Sequence, residues 1–209
     1  MTVETFQFVD PGLLQDGELE LVPLHARWID HVLRAASHPL TRREAPGDAN
    51  VTRHQLENMV DSWPGGHQPA EPSRGLVPAY HFWMKITGPG VVPRRGLFGH
   101  PIRIGIAGGI GLRIGHNEEI ERFYGHIGYH VYPPSRGRHY AERACRLLLA
   151  LVRHHGIHPL WITTNPENHA SRRTCERLGG KLADVVDVPP GHPLYLRGER
   201  RKCRYRIEC

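Results

Sequence analysis

Polar and apolar residues alternate over residues 18–24 (Glu-Leu-Glu-Leu-Val-Pro-Leu), which predicts a first strand. From Pro23 the period changes. Leu24, Trp28, Val32 and Leu33 fall on one helical face as far as about Ser37, with Pro39 as the expected stop. A second helix is expected from Thr52, a capping residue, to Trp63, with Leu56, Met59 and Val60 as its stripe and Pro64-Gly65-Gly66 as its end. Residues 64–79 read as a Pro/Gly-rich loop, Tyr80 to Ile86 as an aromatic-rich strand and 87–101 as another long connection. Alternation returns at Ile102, Ile104 and Ile106, ahead of Gly108-Gly109.

The second half carries more pattern. Gly125 to Tyr132 predicts a strand broken by Pro133-Pro134, followed by a helix to about His155, with Ala144, Leu147, Leu148 and Leu151 at helical spacing and Gly156 as the stop. Leu160 to Thr164 reads as a buried strand. Asn165 to Asn168 turns into a short helix ending at Leu178-Gly179-Gly180, and strands near 181–188 and 202–208 close the chain. Strand, turn, helix and strand make a βαβ unit whose two strands run parallel and adjacent, or nearly so. The turn at 135–141 therefore lies at a strand's carboxyl end and a helix's amino end. Unpaired amides and partial positive charge suit a phosphate there, and Arg136 and Arg138 add formal charge.

Composition narrows the classes. A length of 209 residues favours one domain, here taken as 1–209, with 18–101 forming one side and 102–209 the core. The longest apolar run, Leu147 to Val152, is far short of the ~18 residues of a spanning helix. No membrane partner is expected, and the Met1–Thr5 start shows no secretory pattern, so the expected location is cytoplasmic. Cys145, Cys175, Cys203 and Cys209 form no C-x-x-C pair, which argues against a zinc knuckle or redox dithiol. His154-His155-x-x-His158 has no third clustered ligand, so no metal is expected. Arg172-Arg173 and Arg200-Arg201-Lys202 read as solvated faces. The net charge of +6 permits an anionic partner, either a phosphate-bearing carrier or RNA.

Residues 102–209 resemble the GNAT superfamily of acyl-CoA-dependent N-acyltransferases. Arg136-Gly137-Arg138-His139-Tyr140-Ala141 matches the signature Gln/Arg-x-x-Gly-x-Gly/Ala between a strand and a long helix. Asn168-His169-Ala170-Ser171, then Glu176 and Gly179, keep the spacing of a second motif. The resemblance implies an α/β (α+β) GNAT fold: a mixed, mostly antiparallel central sheet with a splayed parallel strand pair and helices on both faces. It implies acetyl-CoA, or another acyl-CoA, as co-substrate. Val131 and the amides from Arg136 to Ala141 would hold the carrier, Asn168 and Ser171 would meet its pantetheine arm, and a strand amide would receive the oxyanion. Two residues depart from the pattern. His139 replaces the central Gly, and Cys175 takes the place of a Tyr proposed in the family to protonate the leaving thiolate.

His126 and His130 share a face of their strand, an unusual place for imidazoles in a strand between helices. His126 is the candidate base, His130 the more ordinary satisfied histidine, and Glu119, ahead of Glu118, a candidate catalytic-site residue that binds the amine as its anionic partner. Cys175 is a candidate acid. The expected activity is acyl transfer to a primary amine of a small molecule or peptide, by a monomer or homodimer. A GNAT-fold aminoacyltransferase fed by aminoacyl-tRNA is the alternative, and a binding module without turnover a third reading.

Overall fold

The computed structural model describes residues 6–87 and 105–209. The expected strand positions Ile102 and Ile104, most of the 87–101 connection and the Met1–Thr5 start lie outside them. A five-strand ladder is built in the order β1 (Gln15–Asp16), β2 (Leu19–Pro23), β4 (Ala79–Ile86), β5 (Ile106–Arg113) and β6 (Ile127–Val131), with β3 (His67–Gln68) added against β4. Every pairing in it is antiparallel. A second antiparallel sheet has the order β7 (Leu160–Thr164), β9 (Arg201–Ile207), β8 (Lys181–Asp187). The expected strands are thus present, β5 within its described part.

Helices cover both faces of the first sheet. α5 (Tyr140–His154) lays Ala144, Cys145, Leu148, Leu151 and Val152 against Ile110, Leu112, Ile127, Leu160 and Ile162. Leu148 is fully buried, and cutting it to Ala would cost about 2–5 kcal/mol. α1 (Ile29–Ala36) and α4 (Arg53–Ser62) bury Val32, Ala35 and Leu56 against Val22, Trp83 and Ile106 on the opposite face. The Thr52 cap forms as read, with a reciprocal Gln55 bond.

Two local readings are corrected. The first helix begins with a 3-10 turn at Ala26–Trp28, capped by His25, rather than at Pro23. Pro39 does not end a helix but opens α2 (Pro39–Glu44), because a fixed φ and a missing N–H suit a first turn. The short α3 (Pro46–Ala49) follows. The 64–79 loop is more ordered than its composition suggests, containing β3 and a 3-10 turn at Pro72–Arg74. After β7 come α6 (His169–Arg177) and, between β8 and β9, α7 (Pro193–Leu196).

The junction between the sheets positions the site. His126 N donates to Trp161 O at 2.7 Å, and Gly125 brings β7 so close that a Cβ there would lie 2.8 Å from Thr163 N. Beyond this apex β6 pairs only with β5, and β7 only with β9. Arg113 N→His126 O and Tyr132 N→Ala107 O set the β5–β6 phase, with Gly111 opposite Gly128 and Gly109 opposite His130. The peptide groups of Gly128 and His130 therefore face β5. Those of Ile127, Tyr129 and Val131 face the other way, into the wedge beside β7.

Candidate active site

At the mouth of the wedge the chain leaves β6 through a 3-10 turn, Pro133–Ser135, and enters α5 after His139. Gly137 has φ +83°, with open space where a Cβ would stand. His139 occupies the left-handed region at φ 57°, ψ 23°, so the substituted glycine keeps a glycine-like backbone at a strain of about 1–2 kcal/mol. Its ring leans towards α6, where Nδ1 lies 2.5 Å from Arg177 Nη1, and so does not fill the loop. The amides of Gly137, His139, Tyr140 and Ala141 make no hydrogen bond among the described residues.

Charge at this mouth is held in place from the neighbouring β1–β2 turn. Arg143 forks onto Asp16 and reaches Glu18 at 3.3 Å, Tyr140 donates to Glu18 at 2.7 Å, and Arg138 stands 3.8 Å from Glu18. The Tyr140 hydrogen bond, with the two arginines, holds the Glu18 carboxyl below its usual range. Arg136 Nε donates to Val131 O at 3.2 Å, and its guanidinium is 3.9 Å from Glu44 of α2.

On the α6 side, Asn168 caps the helix by accepting from Ser171 N at 3.1 Å. Ser171 Oγ hydrogen-bonds the Tyr129 hydroxyl at 2.8 Å, a link from β6 across to α6. Burial raises the pKa of Tyr129. Cys175 is fully buried, and burial pushes its thiol up to about 12. A thiol so weakly acidic is a poor proton donor to another thiolate, whose ordinary pKa is about 8.5.

The opposite face of the first sheet is paved by glycine. A Cβ at Gly109 would lie 2.9 Å from His130 Cε1, one at Gly111 3.0 Å from His81 Nδ1 and one at Gly128 3.4 Å from Arg113 Nη1. His130 is exposed yet walled by protein; that crowding lowers its pKa, and Asp48 of α3 opposes the shift. Its ring meets Tyr132 edge-on at 5.1 Å. His81 donates from Nε2 to Gln68 Oε1 at 3.1 Å and stacks on Trp63; burial and the nearby Arg113 lower it to about 4.

His126 has a different setting from His130 despite sharing its face. It is fully buried, its Nδ1 accepts from Trp161 N at 3.0 Å, and its Nε2 donates to Gly115 O at 3.1 Å. Burial takes its pKa to about 4. It clamps the wedge apex and presents no free nitrogen to a substrate. Glu119 is an exposed ion-pair partner of His192 at 2.9 Å, beside the π-helical turn Ile120–Tyr124, and Glu118 pairs with Arg122.

Arg136 to Ala141, Val131, Asn168 and Ser171 are thus gathered around the wedge, whereas His126, Glu119 and Cys175 are a clamp, a surface pair and a buried thiol. Sequence reading assigned no role to Tyr129, Arg113 or His81. The signal was the glycines at 109, 111 and 128, whose bare backbone gives long side chains room to lie flat. Lys202, read as solvated, is buried between Asn165 and Glu199. Among the described residues no cluster is placed to hold a metal, no helix is long and apolar enough to cross a membrane, and all four cysteines are free thiols.

The family model for the acetyltransferase (GNAT) domain matches residues 18–181, and the chain belongs to that family of acetyltransferases. No curated relative matches it by sequence. Solved structures share the fold at low identity. A GNAT-family acetyltransferase from Bacillus anthracis aligns with TM-score 0.59 and 16% identity, over 94% of this chain and 98% of that one. The microcin C7 self-immunity acetyltransferase MccE, solved with acetyl-CoA and AMP, aligns at 0.58 and 15%, over 94% of each. RimL, a ribosomal L7/L12 alpha-N-protein acetyltransferase, aligns at 0.52 and 15%, over 94% and 97%.

Proposed function

We propose that the protein, as one domain over residues 1–209, transfers an acetyl or other short acyl group from an acyl-CoA thioester to the primary amine of a small molecule or peptide. The observation that carries this is the wedge itself: a strand edge with peptide groups turned into it, leading to a mouth of unpaired amides flanked by Arg136 and Arg138. The MccE structure, solved with acetyl-CoA on the same fold, supports that reading of the donor.

The thioester supplies an activated carbonyl. The chain's part is to hold it and the amine in register, which is where much of such a rate enhancement lies. A β6 amide facing the wedge, that of Ile127 or Tyr129, stands where an oxyanion would need a donor. His130 replaces His126 as the base in this reading, being the imidazole that is accessible on the acceptor face. Its lowered pKa keeps it unprotonated at neutral pH, suited to taking a proton from the cationic nitrogen that attack creates. Burial raises both the Cys175 thiol and the Tyr129 hydroxyl, so in this reading the departing thiolate, an ordinary weak base, takes its proton from solvent.

Calorimetry should show acetyl-CoA binding with micromolar Kd, on the order of −8 kcal/mol, and an amine panel should release free thiol. Absence of binding at millimolar acetyl-CoA would overturn the assignment.

A further inference from the structure

Arg113 carries a half-buried positive charge whose pKa burial lowers, with no carboxylate among the groups acting on it in the described residues. Nη1 donates to Gly125 O at 3.1 Å and Tyr124 O at 3.4 Å, and the guanidinium lies 5.7 Å from the Tyr124 ring centre. Nε and Nη2 make no hydrogen bond among the described residues, and neither is a sealed, unsatisfied atom. The acids nearest Tyr124 are engaged elsewhere, Glu119 with His192 and Glu199 with Lys202. A desolvated cation without a counter-ion is costly unless a partner arrives, and the free edge of a guanidinium is a two-point match for a carboxylate or phosphate.

Its position says what that partner belongs to. Arg113 lies against Gly128, on the acceptor face of the strand that forms the wedge, and His130 is two residues further along. Two residues of strand span about 7 Å, so a small acceptor can reach both. His81 and His130 are both shifted towards their neutral forms, so the formal charge lying against Gly128 is that of Arg113.

We propose that the acceptor is an amine bearing an anionic oxygen group, a carboxylate or phosphate, and that Arg113 binds this group while the amine lies at His130. This rests on the N-acyltransferase reading and adds the acceptor's chemistry to it.

The test needs no variant at first. With acetyl-CoA fixed, thiol release is measured for a chain-length series of ω-amino carboxylates and their amides, and for phosphoethanolamine beside ethanolamine. The anionic member of a pair should be preferred at least ten-fold in kcat/KM. A preference confined to carboxylates, or to the phosphate, identifies which group the cleft accepts. R113Q should bring the ratio near one, and R113K, keeping charge but losing the fork, should fall between them. Acetyl-CoA Kd by calorimetry checks that each variant retains its donor side. Thiol release that is equal for anionic and neutral partners would overturn this inference while leaving the acyltransferase intact. No acetyl-CoA binding and no thiol release with any amine would instead overturn the acyltransferase reading.

Discussion

The two sides of β6 are built on different principles. The proposed donor side is almost one continuous stretch: Val131 to Ala141 supplies the edge carbonyl, the turn, two positive-φ residues, two arginines and the start of α5. The proposed acceptor side takes one side chain from each of several elements: His81 from β4, Arg113 from β5, His130 from β6, with Asp48 on α3 and Tyr124 on the π-turn. Phosphates are held largely by backbone, so their site requires a local conformation that a short motif can encode. An acceptor is selected by side chains brought together by sheet register, and no short motif encodes that.

His126 joins the two sides, and its loss should have the largest effect. His126→Ala leaves Trp161 N–H and Gly115 C=O without their partner, each costing about 1–3 kcal/mol where water cannot replace it. Urea unfolding should show a loss of about 2–5 kcal/mol. Acid should expose the same clamp. The folded pKa is about 4 against an ordinary 6.5, so the unfolded chain takes up a proton that the folded one resists. This contribution is fully present above pH 6.5 and is lost as pH falls towards 4, about 3 kcal/mol in all. A His126→Ala protein as stable as wild type at pH 7 would remove the clamp.

Much of this was legible. The β6–α5–β7–α6 order followed from periodicity, and the Arg136–Ala141 and Asn168–Ser171 segments fall at the wedge because strand ends and helix starts are local events. What was not legible depends on pairing. His126 and His130 look alike along the strand, and they separate only because β7 closes over the first and not the second. Nothing in the sequence singles out Arg113; the open edge of its guanidinium emerges only when Gly128 is placed opposite Gly111. Pro39 fits equally as a stop after α1 and as the first residue of α2, and only the His38 cap onto Leu40 N decides between them.

His130 gives the middle-sized test, one that should move the acceptor side alone. His130→Gln should lower kcat by about 10²-fold, the lower end for losing a general base. Acetyl-CoA Kd, read by calorimetry, should stay within two-fold. In the wild type the acid limb of the rate should lie below pH 6.5, because the crowded ring stays unprotonated to lower pH than usual. That limb should vanish in the variant. If acetyl-CoA affinity fell in step with kcat, His130 would belong to the donor side and the division between the two sides would fail.

Cys175 gives the smallest. The residue sits on α6 where a donor-side acid would be sought, but its thiol is fully buried and pushed to about 12. If the donor side works through backbone groups, Cys175→Ala removes only a packed sulfur. It should cost about 1 kcal/mol of stability in urea and change kcat less than three-fold. A fall in kcat beyond ten-fold with stability unchanged would restore the thiol as proton donor. It would also mean that the donor side depends on a side chain as specific as any on the acceptor side, which the geometry of β6 argues against: its wedge-facing edge consists of peptide groups.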